Sequence, residues 1–336
     1  MNDQARTLRP LLWVLFAAAG TFALTMGARQ SMGLFISSIN THTGLGLANV
    51  SLAFAFGQLW WGLTQPLAGI VADRYGPGRV LLVGVLLVAS GTLLIPMLGS
   101  TAGLIFAIGV LSAGGAGMAG PSVLMAATTR AAVRRAWADP SFRLLALGFS
   151  VCGFHVAFLA THLPGVVASC GLPPEVGAWS LAVLGLFNIV GSLGIGVLMG
   201  WRGGRLQMKT LLSAIYALRA VAILLFVFAP KTTAVMLVFA AVMGLSFLST
   251  VPPTAGLVAR FFGPTHMATL FGMVMLSHQI GGFLGAWLGG KAFEATGNYN
   301  WMWAADIALA VAAALVHLPI RERRPAPVTA GAAGSA

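Results

Sequence analysis

Gly69-Ile70-Val71-Ala72-Asp73-Arg74-Tyr75-Gly76-Pro77-Gly78-Arg79 is a short charged turn set between two long apolar runs, Leu47 to Ala68 before it and Val80 to Leu98 after it. Each run is about 20 residues, the length an α-helix needs to cross a hydrocarbon core of ~30 Å, so the turn joins two membrane helices. Asp73 falls where the first helix should end, and a carboxylate there faces the negative end of its own helix dipole. It calls for a partner: Arg74, Arg79, or the N-terminus of another helix reaching the same face. Gly76-Pro77-Gly78 breaks the helix whatever the charges do.

The rest of the chain has the same character. Hydrophobic residues make up 58% and charged residues 8%, with a mean hydropathy of +0.91. An ordinary soluble domain carries about a quarter charged residues, so this is an integral membrane protein. Ten apolar runs are long enough to span: 11–35, 47–68, 79–98, 102–126, 143–168, 176–200, 208–228, 233–257, 267–290 and 300–320. Ten crossings put both termini on one side. The run after Arg6 and Arg9 continues to about Ile36, too long for a signal-peptide core, and reads as a retained first span.

A net charge of +12 raises nucleic acid as a partner, but the placement of the charges argues against it. With the N-terminus assigned to the cytoplasm, only Lys231 and Lys291 of the 19 basic residues fall outside; Arg29 and Arg219 lie within spans and the other 15 fall inside. That is the positive-inside pattern, and the expected setting is the inner (plasma) membrane with the lipid bilayer as partner. Cys152 and Cys170 are separated by about 27 Å along a helix, so no disulfide is implied.

The pattern G-x-x-x-D-R-x-G-x-x-R formed by Gly69, Asp73, Arg74, Gly76 and Arg79 resembles the cytoplasmic loop signature between the second and third helices of the major facilitator superfamily of secondary transporters. The turn Gly196-Val197-Leu198-Met199-Gly200-Trp201-Arg202-Gly203-Gly204-Arg205 echoes it, with Gly200 in place of Asp73. Gly27-Ala28-Arg29-Gln30-Ser31-Met32-Gly33-Leu34-Phe35, Leu276-Ser277-His278-Gln279-Ile280-Gly281-Gly282-Phe283-Leu284-Gly285 and Ala295-Thr296-Gly297-Asn298-Tyr299 resemble the bacterial branch related to monocarboxylate and oxalate/formate carriers. The resemblance implies an all-α bundle of two halves that rock about a central site, with the charged turn as a conformational latch. Here four spans precede Arg143 and six follow it, so the first half lacks a helix pair. The expected domains are a shortened N-terminal half (1–127), a basic cytoplasmic linker (128–143), a six-helix half (144–321) and a disordered tail (322–336).

Ionisable residues inside spans are costly and mark function by default. Arg29, in a helix the resemblance places along the central cavity, either holds a substrate carboxylate through two parallel hydrogen bonds or snorkels to the outer interface. His155 and His278 lie near mid-depth, where imidazole could relay a proton in symport or serve packing alone. Gln279 and Asn188 are candidate substrate contacts, and interhelical hydrogen bonding is the common alternative. Arg219 and Asp306 are expected to form a structural ion pair. The histidines have no metal-ligand spacing, and there is no Walker loop, nucleophile elbow or paired-carboxylate site, so neither a cofactor nor enzymatic chemistry is expected. The reading is a carrier of a small organic anion, with an exporter of drugs or metabolites, or a truncated non-transporting relative, as alternatives.

Overall fold

The computed structural model describes residue 20 and residues 27–118, 130–201, 206–263 and 267–322. Every described regular element is a helix. After a tight turn at Met32–Phe35 come α1 (Ile36–Thr43), α2 (Leu47–Tyr75), α3 (Pro77–Leu94) and α4 (Thr101–Met118). The short α5 (Arg130–Ala138) leads into α6 (Pro140–Ser169), α7 (Pro174–Gly200), α8 (Met208–Phe228), α9 (Thr233–Ser246), α10 (Val251–Phe262), α11 (Met267–Thr296) and α12 (Asn300–His317).

Helices end where the sequence supplies breakers. Gly76 has φ 88° and ψ 144°, a conformation closed to other residues, and Pro77 opens α3 with its fixed φ. Gly171, Gly263 and Gly297 sit at positive φ after α6, α10 and α11. Some helix starts are capped by side chains: Asp139 Oδ1 accepts from Ser141 N at 2.7 Å, and Ser100 Oγ accepts from Gly103 N at 3.1 Å. Within α4 the stretch Ile105–Ser112 is wound as a π-helix.

Among the described residues, seven helical stretches are long and apolar enough to cross a membrane: Gly78–Met97, Thr101–Met118, Pro140–Ser169, Pro174–Gly200, Met208–Phe228, Thr233–Phe262 and Asn300–His317. The expected first span is described only from residue 27 and the expected fourth only to residue 118. The long α2 and α11 carry more small and polar residues because they face protein rather than lipid; Ser51, Gln58 and Gln65 of α2 are all buried, as is Gln279 of α11. Conversely, large apolar side chains lie exposed in rows, Leu82, Leu86 and Leu93 on α3 with Met97 in the turn that follows it, and Leu186, Ile189, Leu193 and Val197 on α7. A water-soluble protein does not present such a surface, and in a bilayer it is the face that meets acyl chains.

Two cores are distinct. One gathers Met32, Ile36, Ile39, Val50, Ala53, Leu104, Ala107 and Ile108 from the first four helices. The other is built around α6, whose apolar stretch is 83% buried against 11% for α7, and includes Phe142, Phe149, Phe158, Tyr216, Phe239 and Trp303. These define an N-terminal and a C-terminal lobe. They meet where α11 lies against both α6 and α2, and where the turn at Met32–Phe35 touches α6. Gly33 makes the second approach possible, since a Cβ there would fall on the Ala160 carbonyl.

Two boundaries differ from expectation. The helix expected to stop at Ala68 runs on to Tyr75, so Gly69, Asp73 and Arg74 lie in its last two turns rather than in a loop. Glu322, placed by sequence in a disordered tail, is held: its Oε2 accepts from Arg260 Nη1 at 2.7 Å and its Oε1 from Lys209 N at 2.7 Å. The remainder of that tail, 323–336, lies outside the described residues, as do Arg202 to Arg205 of the echoed turn.

Candidate functional site

A small cleft lies between the lobes. The first segment contributes Arg29, Gln30, Met32 and Gly33, α2 contributes Phe54, Gly57 and Gln58, α4 contributes Ile108, Ser112 and Ala113, and α6 of the other lobe contributes Ala160 and Thr161. Arg29 is the one ionisable side chain in this lining. Its Nη2 donates to Gln58 Oε1 at 2.5 Å, and its guanidinium carbon lies 4.9 Å from the centre of the Trp61 ring. Its Nε has no partner among the described residues. A planar cation braced by an aromatic face, with its Nε unpaired, is a geometry that accepts a carboxylate once the Gln58 oxygen gives way.

The other expected substrate contacts lie elsewhere. Asn188 of α7 accepts from Leu248 N at 3.0 Å, where the chain breaks between α9 and α10. That is a backbone-satisfying role, and Asn188 does not line the cleft. Gln279 is fully buried on α11 opposite Gly62 of α2, where a Cβ on the glycine would collide with Gln279 Cγ. His278 is buried behind it beside Cys152, its ring centre 5.0 Å from that of Phe149.

His155 belongs to a polar cluster inside the C-terminal lobe. Its Nε2 lies 3.0 Å from the Asp306 backbone oxygen and 3.5 Å from Asp306 Oδ1, and its Nδ1 lies 3.5 Å from Arg219 Nη1. Arg219 and Asp306, expected as an ion pair, are therefore not in direct contact; His155 stands between them. The reason is that Arg219 is engaged elsewhere. The helix breaks between Ser246 and Val251, ahead of Pro252 and Pro253, so the Ser246 and Phe247 carbonyls lose their helical donors, the Thr250 and Val251 N–H groups, inside the lobe. The Arg219 Nη2 donates to both, to Phe247 O at 2.7 Å, and its Nε reaches Ser246 Oγ at 3.3 Å. A cation at the carboxyl end of α9 also meets the negative end of that helix's dipole.

Sequence reading missed Gln58, Trp61, Ser112 and Thr161. A signal existed for the first: Ser51, Gln58 and Gln65 recur every seven residues in an apolar run and so share one helix face. Cys152 was also missed, its Sγ 3.2 Å from Thr250 Oγ1 beside Arg219.

The sequence pattern of the Major Facilitator Superfamily matches residues 145–335, more than half of the chain. The chain belongs to that superfamily. It is also similar to the uncharacterized MFS-type transporter YcxA of Bacillus subtilis (strain 168), at 26% identity over 176 residues, 52% of this chain. The match spans 43% of that relative's length. For a superfamily member the turn at 69–79 is of particular interest. Gly69 and Asp73 lie in the last turns of α2, though their side chains are outside the described residues. Arg74 and Arg79 are exposed, Arg74 lies over the Tyr75 ring at 5.6 Å, and Gly76 supplies the reversal between α2 and α3.

Proposed function

We propose that this superfamily member is a secondary carrier of the inner membrane, both termini cytoplasmic, that moves a small organic anion by exposing its inter-lobe cleft alternately to the two sides. The observation that carries the reading is Arg29: among the described residues the one cation in the cleft lining, its Nε unpaired, backed by Trp61 and bordered by neutral hydrogen-bonding groups on Gln58, Ser112 and Thr161. One positive charge matches a monocarboxylate. The turn from Gly69 through Asp73, Arg74 and Gly76 to Arg79 would latch one end state. Protons are the proposed coupling ion, with His278, beside Cys152, and His155, whose Nε2 is taken by the Asp306 backbone, as the candidate relays. Met32, Phe54 and Ile108 in the lining favour the second reading, an exporter of apolar compounds, for which Arg29 would be dispensable.

The test is uptake of labelled carboxylates by proteoliposomes with and without a pH gradient. Arg29→Lys, which keeps the charge but loses the planar fork, should lower carboxylate affinity by about tenfold or more. Unchanged affinity sinks the role of Arg29, and transport indifferent both to the gradient and to His278→Ala removes proton coupling.

A further inference from the structure

We infer that Gln58 is a built-in occupant of the anion position on Arg29: its amide oxygen holds the guanidinium, an arriving carboxylate displaces it, and its release acts on the contact between the lobes. This rests on the carboxylate reading above and adds the residue that competes with the substrate. The side-chain carbonyl of glutamine is a planar sp² oxygen acceptor, as a carboxylate oxygen is, but it carries no charge. Its 2.5 Å bond to Arg29 Nη2 therefore reproduces one half of a carboxylate–guanidinium fork. Hydrogen bonds to an ionised acceptor are roughly twice as strong as neutral ones, so a true carboxylate wins the exchange.

The placement of Gln58 links this exchange to movement. Gln58 lies on the face of α2 that meets α11, where a Cβ on Gly282 would sit 3.5 Å from Gln58 Cγ. One turn further along the same face, Gly62 receives Gln279. A change of rotamer at Gln58 thus occurs in the seam joining the two lobes, while its polar end faces the cleft. Among the described residues, no second ionisable group in the lining competes for Arg29.

Two substitutions at the same position should act in opposite directions. Gln58→Leu keeps the bulk but removes the acceptor, freeing Arg29, and should tighten carboxylate binding by about threefold to tenfold. Gln58→Glu tethers a real carboxylate to Arg29 and should weaken binding by about tenfold or more. Both effects should vanish when Arg29→Gln is added. Isothermal titration of the purified full chain at neutral pH with formate, acetate, lactate, pyruvate and oxalate reads all of these. If the wild type binds an acid and both Gln58 variants bind it more weakly or equally, Gln58 is merely structural and this inference is overturned while the carboxylate reading stands. If the wild type binds none of the panel, the carboxylate reading fails and takes this one with it. Where Gln58→Glu gives no folded protein, the sign of the Gln58→Leu change decides alone.

Discussion

Replacing Arg219 with methionine tests whether this cation staples a broken helix. The side chain is 1% exposed, and two of its hydrogen bonds go to the Ser246 and Phe247 carbonyls. Each bond to a charged group contributes about 1.5–3 kcal/mol net, and each carbonyl left bare costs about 1–3 kcal/mol. Against this, methionine removes the cost of burying a cation, which is several kcal/mol. The balance is a loss of about 3–4 kcal/mol, which for a chain of this size lowers the melting temperature by roughly 5–10 °C. Thermal unfolding in detergent, followed by tryptophan fluorescence, measures it. Arg219→Lys, with a single ammonium in place of the fork, should recover about half of the loss. Asp306→Asn separates the staple from an ion pair. Because His155 intervenes, it should cost only about 1 kcal/mol. Equal losses for Asp306→Asn and Arg219→Met would show a direct charge pair, and an Arg219→Met protein melting with the wild type would refute the staple.

Two glycine substitutions probe packing and backbone separately. A Cβ at Gly285 would lie 2.9 Å from the Phe154 carbonyl carbon and 3.0 Å from its Cα, neither of which can rotate away, so Gly285→Ala should destabilise by about 1–3 kcal/mol in the same melting assay. Gly272 on the same helix has open space, and Gly272→Ala should be neutral or slightly stabilising. Gly76 has no neighbour within 4 Å but a φ of 88°, so Gly76→Ala should cost about 1–2 kcal/mol through backbone strain alone, while Gly78→Ala, also in open space at ordinary φ, should not.

The sequence showed where lipid is more clearly than where helices stop. The run 208–228 coincides with α8 because polar residues and helix breakers fall together at both ends. At Ala68 they do not: Gly69, Asp73 and Arg74 end the apolar run, yet nothing in Ile-Val-Ala-Asp-Arg forbids a helix, which continues to the breakers at Gly76-Pro77. The run 267–290 extends to Thr296 through Lys291 and Glu294 for the same reason. In the site, Arg29 was legible because a cation in an apolar run has a large cost that something must offset. Gln58 was not, since a neutral amide raises no such alarm, and only its seven-residue spacing from Ser51 and Gln65 marks its face. The Arg219 partner was misjudged because charge bookkeeping sought an acid, whereas the structure offered two backbone carbonyls left bare at the break between α9 and α10.

The two faces of α11 differ in what they touch, and this decides which contact can part. Towards α6, a Cβ at Gly281 or Gly285 would fall on the backbone of Ser150 or Phe154, so the two helices interlock main chain to main chain and no rotamer change can loosen them. Towards α2, Gly62 meets the Gln279 side chain and Gly282 that of Gln58, both with rotatable bonds, while Gly290 meets Ser51 and the Leu47 carbonyl oxygen. Close packing transmits strain through rigid contacts and yields at adaptable ones. The contact of α11 with α6 is therefore set by backbone, while its contact with α2, at the seam between the lobes, is made largely by side chains. The buried but unpartnered amide of Gln279 and the Trp61 indole N–H lie at that seam, where an opened state would give both access to water.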